Sequence, residues 1–119
     1  MRFLKLNMLF LGLIFLSTAS GMLKKESFQQ NRFCHIYGSI AVVDDPRRAQ
    51  YKVYIEESEG LADIVVFEEE IRLYADRQGI WHFMKNPGLA DYVVYFEENK
   101  FFSDFSITYT DIESFARCQ

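Results

Sequence analysis

Little in this chain announces a reaction. It has only two cysteines and two histidines, and it carries no nucleophile elbow, no Walker-type glycine loop and no paired metal-ligand motif. No motif-borne enzyme class is therefore indicated, and no cofactor is expected. Basic residues are also scarce, 13 against 17 acidic, which makes nucleic acid and anionic membrane poor partners. Long apolar runs are absent too. The one candidate, Met8 to Leu16, is broken by Gly12 and is about half the ~20 residues that span a bilayer, so no permanent membrane span is expected.

That apolar run has another use. Arg2 and Lys5 precede it and Ser17-Thr18-Ala19 follows it, the order of a secretory signal with cleavage after Ala19. Residues 1–20 are thus expected to be a signal peptide, 21–33 a flexible polar segment and 34–119 the folded domain, exported to the periplasm or secreted. No cysteine closely follows the run, which disfavours a lipid-modified protein. Removing the signal leaves 11 basic and 17 acidic residues, a net charge of −6. In an exported chain an even pair of cysteines favours a disulfide, here Cys34 to Cys118. It would enclose nearly the whole domain and contribute roughly 4–5 kcal/mol by chain entropy.

What the sequence does have is a repeat. One small residue, usually followed by Asp, then a bulky apolar residue, any residue, a branched aliphatic and an aromatic, returns at Ala49-Gln50-Tyr51, Ala62-Asp63-Ile64, Ala90-Asp91-Tyr92 and Ser103-Asp104-Phe105. With Ala75-Asp76 and Ala116 added, the small residues are 13, 13, 15, 13 and 13 positions apart, the signature of a repeated supersecondary unit. The second and fourth positions, such as Ile64 and Val66 or Tyr92 and Val94, have a strand's period of two. Lys52 and Ser106 suggest that their strands have a wetter side. The copy at Ala75 fits only after two extra residues, which predicts a bulge or turn at Gln78-Gly79. Ile36 to Val43 reads as a degenerate first copy and Ala116-Arg117-Cys118 as a truncated last one, so the cysteines would staple terminal units that otherwise fray. Glu68-Glu69-Glu70 would suit one helical turn. The fold class expected is all-β: short strand repeats of about 13 residues in one compact domain. The links leave open whether strands adjacent in sequence are adjacent in space.

The phrases Leu61-Ala62-Asp63-Ile64-Val65-Val66-Phe67 and Leu89-Ala90-Asp91-Tyr92-Val93-Val94-Tyr95 resemble the bacterial septoil knot family, small β-rich domains wound like a torus knot of seven crossings. The resemblance runs from about Cys34 to Cys118. It implies a knotted fold and no particular reaction. This chain departs from the pattern in the third-copy insertion, in Gln50 where Asp is usual, and in its signal and cysteine pair. A Cys34–Cys118 bond would close a threaded chain into a covalent ring.

The recurring Asp63, Asp76, Asp91 and Asp104 could be stacked into a carboxylate ladder for Ca²⁺, but without supporting spacing they read as strand caps bonding local backbone. His82 stands where other copies have Tyr54, Phe67 and Tyr95 and reads as a substituted aromatic. A Cys34-His35-His82 site is outweighed by the disulfide. No catalytic or metal residue is expected. The acidic runs 56–59 and 68–70 read mainly as solvated faces. The functional expectation is an exported, non-enzymatic binding or scaffold module, with a homodimer through an exposed strand or an envelope protein as partner. Its rivals are a periplasmic inhibitor that docks acidic loops into a basic envelope hydrolase, and an enzyme using His82 with a carboxylate.

Overall fold

The computed structural model describes residues 32–119. The expected signal segment and residues 21–31 lie outside the described residues. Arg32 and Phe33, assigned above to the flexible segment, are described, and Phe33 stacks on Phe105 with ring centroids 4.8 Å apart.

Seven strands form: β1 Gly38–Val42, β2 Tyr51–Ile55, β3 Ile64–Glu68, β4 Ile80–Met84, β5 Tyr92–Phe96, β6 Phe105–Thr110 and β7 Arg117–Cys118. Among the described residues the helical turns are all three-residue 3-10 turns, so the domain is all-β. The six long strands are hydrogen-bonded in the order β4-β1-β5-β2-β6-β3, and β3 pairs again with β4 to close the ring. Every one of these pairings is parallel. The chain lays down β1, β2 and β3 at alternate places around the ring, and β4, β5 and β6 then fill the gaps.

Parallel strands ordinarily need a crossover of a dozen or more residues. Here the link between β2 and β3 covers only residues 56–63. It suffices because the strands are short. The return along five residues is about 17 Å and the step past one intervening strand about 10 Å, whereas eight extended residues reach roughly 27 Å. The links therefore have room for one 3-10 turn each and for no α-helix. Five small residues end such turns: Ala49, Ala62, Ala75, Ser103 and Ala116 each donate a backbone N–H to the carbonyl three residues back. The Glu68-Glu69-Glu70 run is not itself helical, because Glu68 still belongs to β3 and the 3-10 turn forms later, at Arg72–Tyr74.

Each strand is staggered by two residues against its neighbour, so that Tyr51 lies opposite Val94, Phe105 opposite Val53 and Ile64 opposite Ile107. Inward side chains from successive strands consequently form layers. The middle layer is Ile40, Val53, Val66, Trp81, Val94 and Ile107, and all six have no exposed surface. Trp81, the only tryptophan, satisfies its indole by donating Nε1–H to the Ile36 carbonyl at 2.9 Å.

The inserted residues before β4 form a turn in which Ile80 N–H bonds to the Arg77 carbonyl. Gly79 in this turn has φ +82°, and a Cβ there would lie 2.7 Å from both the Arg117 nitrogen and the Val65 oxygen. Only glycine fits. The short β7 fills the space beside the start of β3, where it pairs antiparallel through Ile64–Cys118 and Val65–Arg117. It is therefore not a further parallel copy of the repeat. Cys118 is bonded to Cys34, which ties the start of the domain to the one strand with a single neighbour; the ring strands need no such staple against fraying. Among the described residues, strand addition by a second copy would have only the two-residue β7 to use.

Candidate functional site

Because β1 to β6 all point the same way, the barrel has one end made of strand starts and one made of strand ends. The start is sealed. Phe33 lies flat on Phe105 and edge-on to Tyr51, Tyr51 contacts Tyr92 and Phe105, and the Cys34–Cys118 bridge lies beside this cluster, with Cys118 packed on the core.

The other end is open. The inward position two residues beyond the middle layer is held by Val42, Ile55, Glu68, Phe83, Phe96 and Tyr109, and none of the described residues caps it. Val42 and Ile55 keep 41% of their surface exposed and Tyr109 keeps 44%, against zero one layer below. Five of these residues, with Met84 and Lys85, line a cleft of about 550 Å³, a size suited to one small ligand or a few side chains. Its floor is aromatic and aliphatic, with Phe83 and Tyr109 ring centroids 6.4 Å apart. The polar groups are the Glu68 carboxylate, the Lys85 ammonium and the Tyr109 phenol. Burial pushes the Tyr109 phenol above its ordinary range, and the nearby Glu68 charge adds to that. The location has a physical precedent, since sites of parallel α/β sheets gather at the carboxyl ends of strands.

Glu68 also belongs to a neighbouring groove of about 290 Å³, lined with Phe67, Glu69, Glu70, Ile71 and Glu113. Glu69 accepts the Ile71 N–H at 3.1 Å and Glu113 pairs with Arg77 at 3.4 Å. The other acidic run is more fully engaged. Glu56 holds Lys100 at 2.6 Å, raising the lysine's pKa, and Glu59 holds Arg117 at 2.8 Å.

The repeated acidic residues act away from both sites. Asp91 donates its N–H to the Ser39 carbonyl and accepts the Ser39 N–H on Oδ2 at 3.0 Å. Asp104 does the same to Lys52 at 2.7 Å, and Asp63 to Ser106 at 2.8 Å. Gln50 replaces the carboxylate in kind, its Oε1 accepting the Val93 N–H at 2.9 Å. These are caps, but on the neighbouring strand, 43 or 52 residues away, rather than on local backbone. The stagger explains it: the residue after the small one lies opposite the third position of its neighbour, whose N–H would otherwise lack an acceptor. Asp76, displaced by the insertion, makes no such contact. Ser106 is buried rather than wet, because its hydroxyl and N–H both face Asp63.

His82 Nδ1 lies 2.9 Å from the Glu69 carbonyl, and His35 rests edge-on against Tyr92. His35 lies in the turn before β1 and His82 in β4, so the two histidines occupy different surroundings. Among the described residues no three His, Cys, Asp or Glu side chains converge as a metal site, and no helix is long and apolar enough to cross a membrane.

The open layer escaped the sequence reading, which followed the second and fourth positions of each unit and stopped. The signal was present: the sixth position repeats Val42, Ile55, Glu68, Phe96 and Tyr109 on the same face. A family model described as a 7(1) septoil knot domain matches residues 33–119. No curated protein and no solved structure matches the chain.

Proposed function

We propose, on the premise that the chain belongs to the 7(1) septoil knot domain family, that it is an exported, non-enzymatic binding module whose barrel mouth receives an apolar group. The cleft over Phe83, Phe96 and Tyr109 carries this reading. An apolar recess of that size, left uncovered by the described residues while the layer beneath it is fully buried, is a place where burial would favour a ligand. The sealed opposite end, the Cys34–Cys118 bridge and the knotted winding that the family implies would hold the mouth in shape, which lowers the ordering cost of binding. The bridge and the signal-like N-terminus support export, which N-terminal sequencing of the protein from cell fractions tests.

The inhibitor reading has less support. In the first of its two acidic loops, residues 56–59, two of the three carboxylates, Glu56 and Glu59, are already held by Lys100 and Arg117.

The direct test is titration with the neutral apolar dye N-phenylnaphthylamine. Saturable fluorescence enhancement is expected, and it should vanish in Phe96→Glu while the far-ultraviolet circular dichroism is retained. Absence of saturable binding, or equal binding by the variant, overturns the reading. Should Phe96→Glu not fold, Val42→Glu at the same rim serves instead.

A further inference from the structure

Resting on the reading of the mouth as an apolar binding site, we infer that its occupant is a segment of a basic partner protein: an apolar or aromatic side chain seated in the mouth, followed by Lys or Arg residues. Shape and charge both point that way. The cleft and the flanking groove share Glu68, so the recess continues as a path rather than ending as a closed pocket. An extended peptide advances about 3.3 Å per residue with alternating side chains, which lets one residue anchor below while the next ones reach the flank. A compact apolar molecule would fill the mouth and leave the flank unused.

The charge of the path is one-sided. Glu68, Glu69, Glu70 and Glu113 line it, with Lys85 the only cation among the residues of either recess. The Glu68 and Glu70 carboxylates have no ion-pair or hydrogen-bond partner among the described residues, in contrast to those of Glu56 and Glu59 on the other acidic run. Glu113 is held only by Arg77, at 3.4 Å with both side chains about half exposed, a contact that an incoming guanidinium could replace. Residues 32–119 as a whole carry 16 acidic and 9 basic side chains, a net charge of −7. A basic partner is steered toward such a surface and an acidic one repelled. The rings of Phe83, Phe96 and Tyr109 add faces for a cation at the rim.

The test uses a fluorescein-labelled synthetic peptide, Phe-Leu-Lys-Arg-Lys-amide, with two controls: Phe and Leu replaced by Ser, and the basic residues replaced by Glu. Anisotropy titration of the intact protein should show the parent binding at least about tenfold more tightly than either control. Its affinity should fall between about 50 and about 500 mM salt. The double variant Glu68→Gln/Glu70→Gln should weaken the peptide severalfold and still take up N-phenylnaphthylamine. Equal binding of the Ser control means simple charge attraction and overturns the inference, as does equal binding of the Glu control or of the double variant. If dye binds and peptide does not, the partner class is wrong and the mouth still binds apolar groups; if neither binds, the underlying reading fails as well. Dimerisation on sedimentation that Phe96→Glu abolishes would assign the mouth to a second copy, and co-flotation of the protein with neutral phosphatidylcholine vesicles that Phe96→Glu abolishes would assign it to lipid.

Discussion

Removing the Asp91 carboxylate tests the device that joins distant repeats. Ser39 has no exposed surface, and its N–H is satisfied by Asp91 Oδ2 at 3.0 Å. Asp91→Ala leaves that buried donor without a partner, which costs about 1–3 kcal/mol. For a domain of this size the melting temperature should fall by roughly 5–20 °C. Asp91→Asn keeps an oxygen that can accept the same bond and should lose less than half as much. The two variants also separate geometry from charge. The Ser39 N–H bond is the main cause that holds the Asp91 pKa below its ordinary value of 3.8, opposed by desolvation and assisted by the Ser39 hydroxyl and Arg72. A depressed folded-state pKa contributes stability that is present above the unfolded value near 3.8 and is lost as pH falls through the lower folded value. Urea midpoints measured from neutral pH downward should therefore converge for the native protein and Asp91→Asn as acid is added. An Asp91→Ala cost under about 0.5 kcal/mol at neutral pH, well below that of an unsatisfied buried donor, would refute the account. So would a native-to-Asn difference that does not shrink in acid.

Three other perturbations bear on the fold. Reducing Cys34–Cys118, or replacing both cysteines by Ser, should lower stability by about 4–5 kcal/mol given the separation of 84 residues; a urea midpoint that reductant leaves unchanged, or free thiols in the folded protein, would contradict this. Gly79→Ala should cost more than the ~1–2 kcal/mol of a left-handed backbone alone, because its Cβ meets backbone of β3 and β7 at 2.7 Å. Gly60→Ala, where nothing lies within 4 Å, is the matched control and should be near neutral in the same thermal melt. Trp81→Phe should destabilise by roughly 2–4 kcal/mol through a cavity and an orphaned Ile36 carbonyl, and a loss under ~1 kcal/mol by chemical denaturation would count against the central role of this side chain.

Much of the local structure was legible because a strand's period of two writes itself into the spacing of apolar residues. The second and fourth positions are inward, as Ile64, Val66, Phe105 and Ile107 show, and the Gln78-Gly79 irregularity is a turn. The regular return of Asp was visible, but its partner was not. Nothing in Asp91 or its neighbours names Ser39, which lies 52 residues away and reaches it only through the two-residue stagger. The mouth was missed for a related reason. Val42, Glu68, Phe96 and Tyr109 look like ordinary strand ends when each unit is taken alone, and they become one surface only when six strand ends are brought to the same side.

Composition and spacing alone determined that this is a small, acidic, all-β domain of repeated short strands with a cysteine pair near its ends. Those properties are local sums, set by alternation, turn-forming links and residue counts. The tertiary structure decided which strands are neighbours, which backbone groups the repeated carboxylates satisfy, and that one end of the barrel is plugged while the other stays open. Such choices depend on closing the ring. With links long enough to step past one strand and too short to hold an α-helix, the second circuit of the chain must fall between the strands of the first.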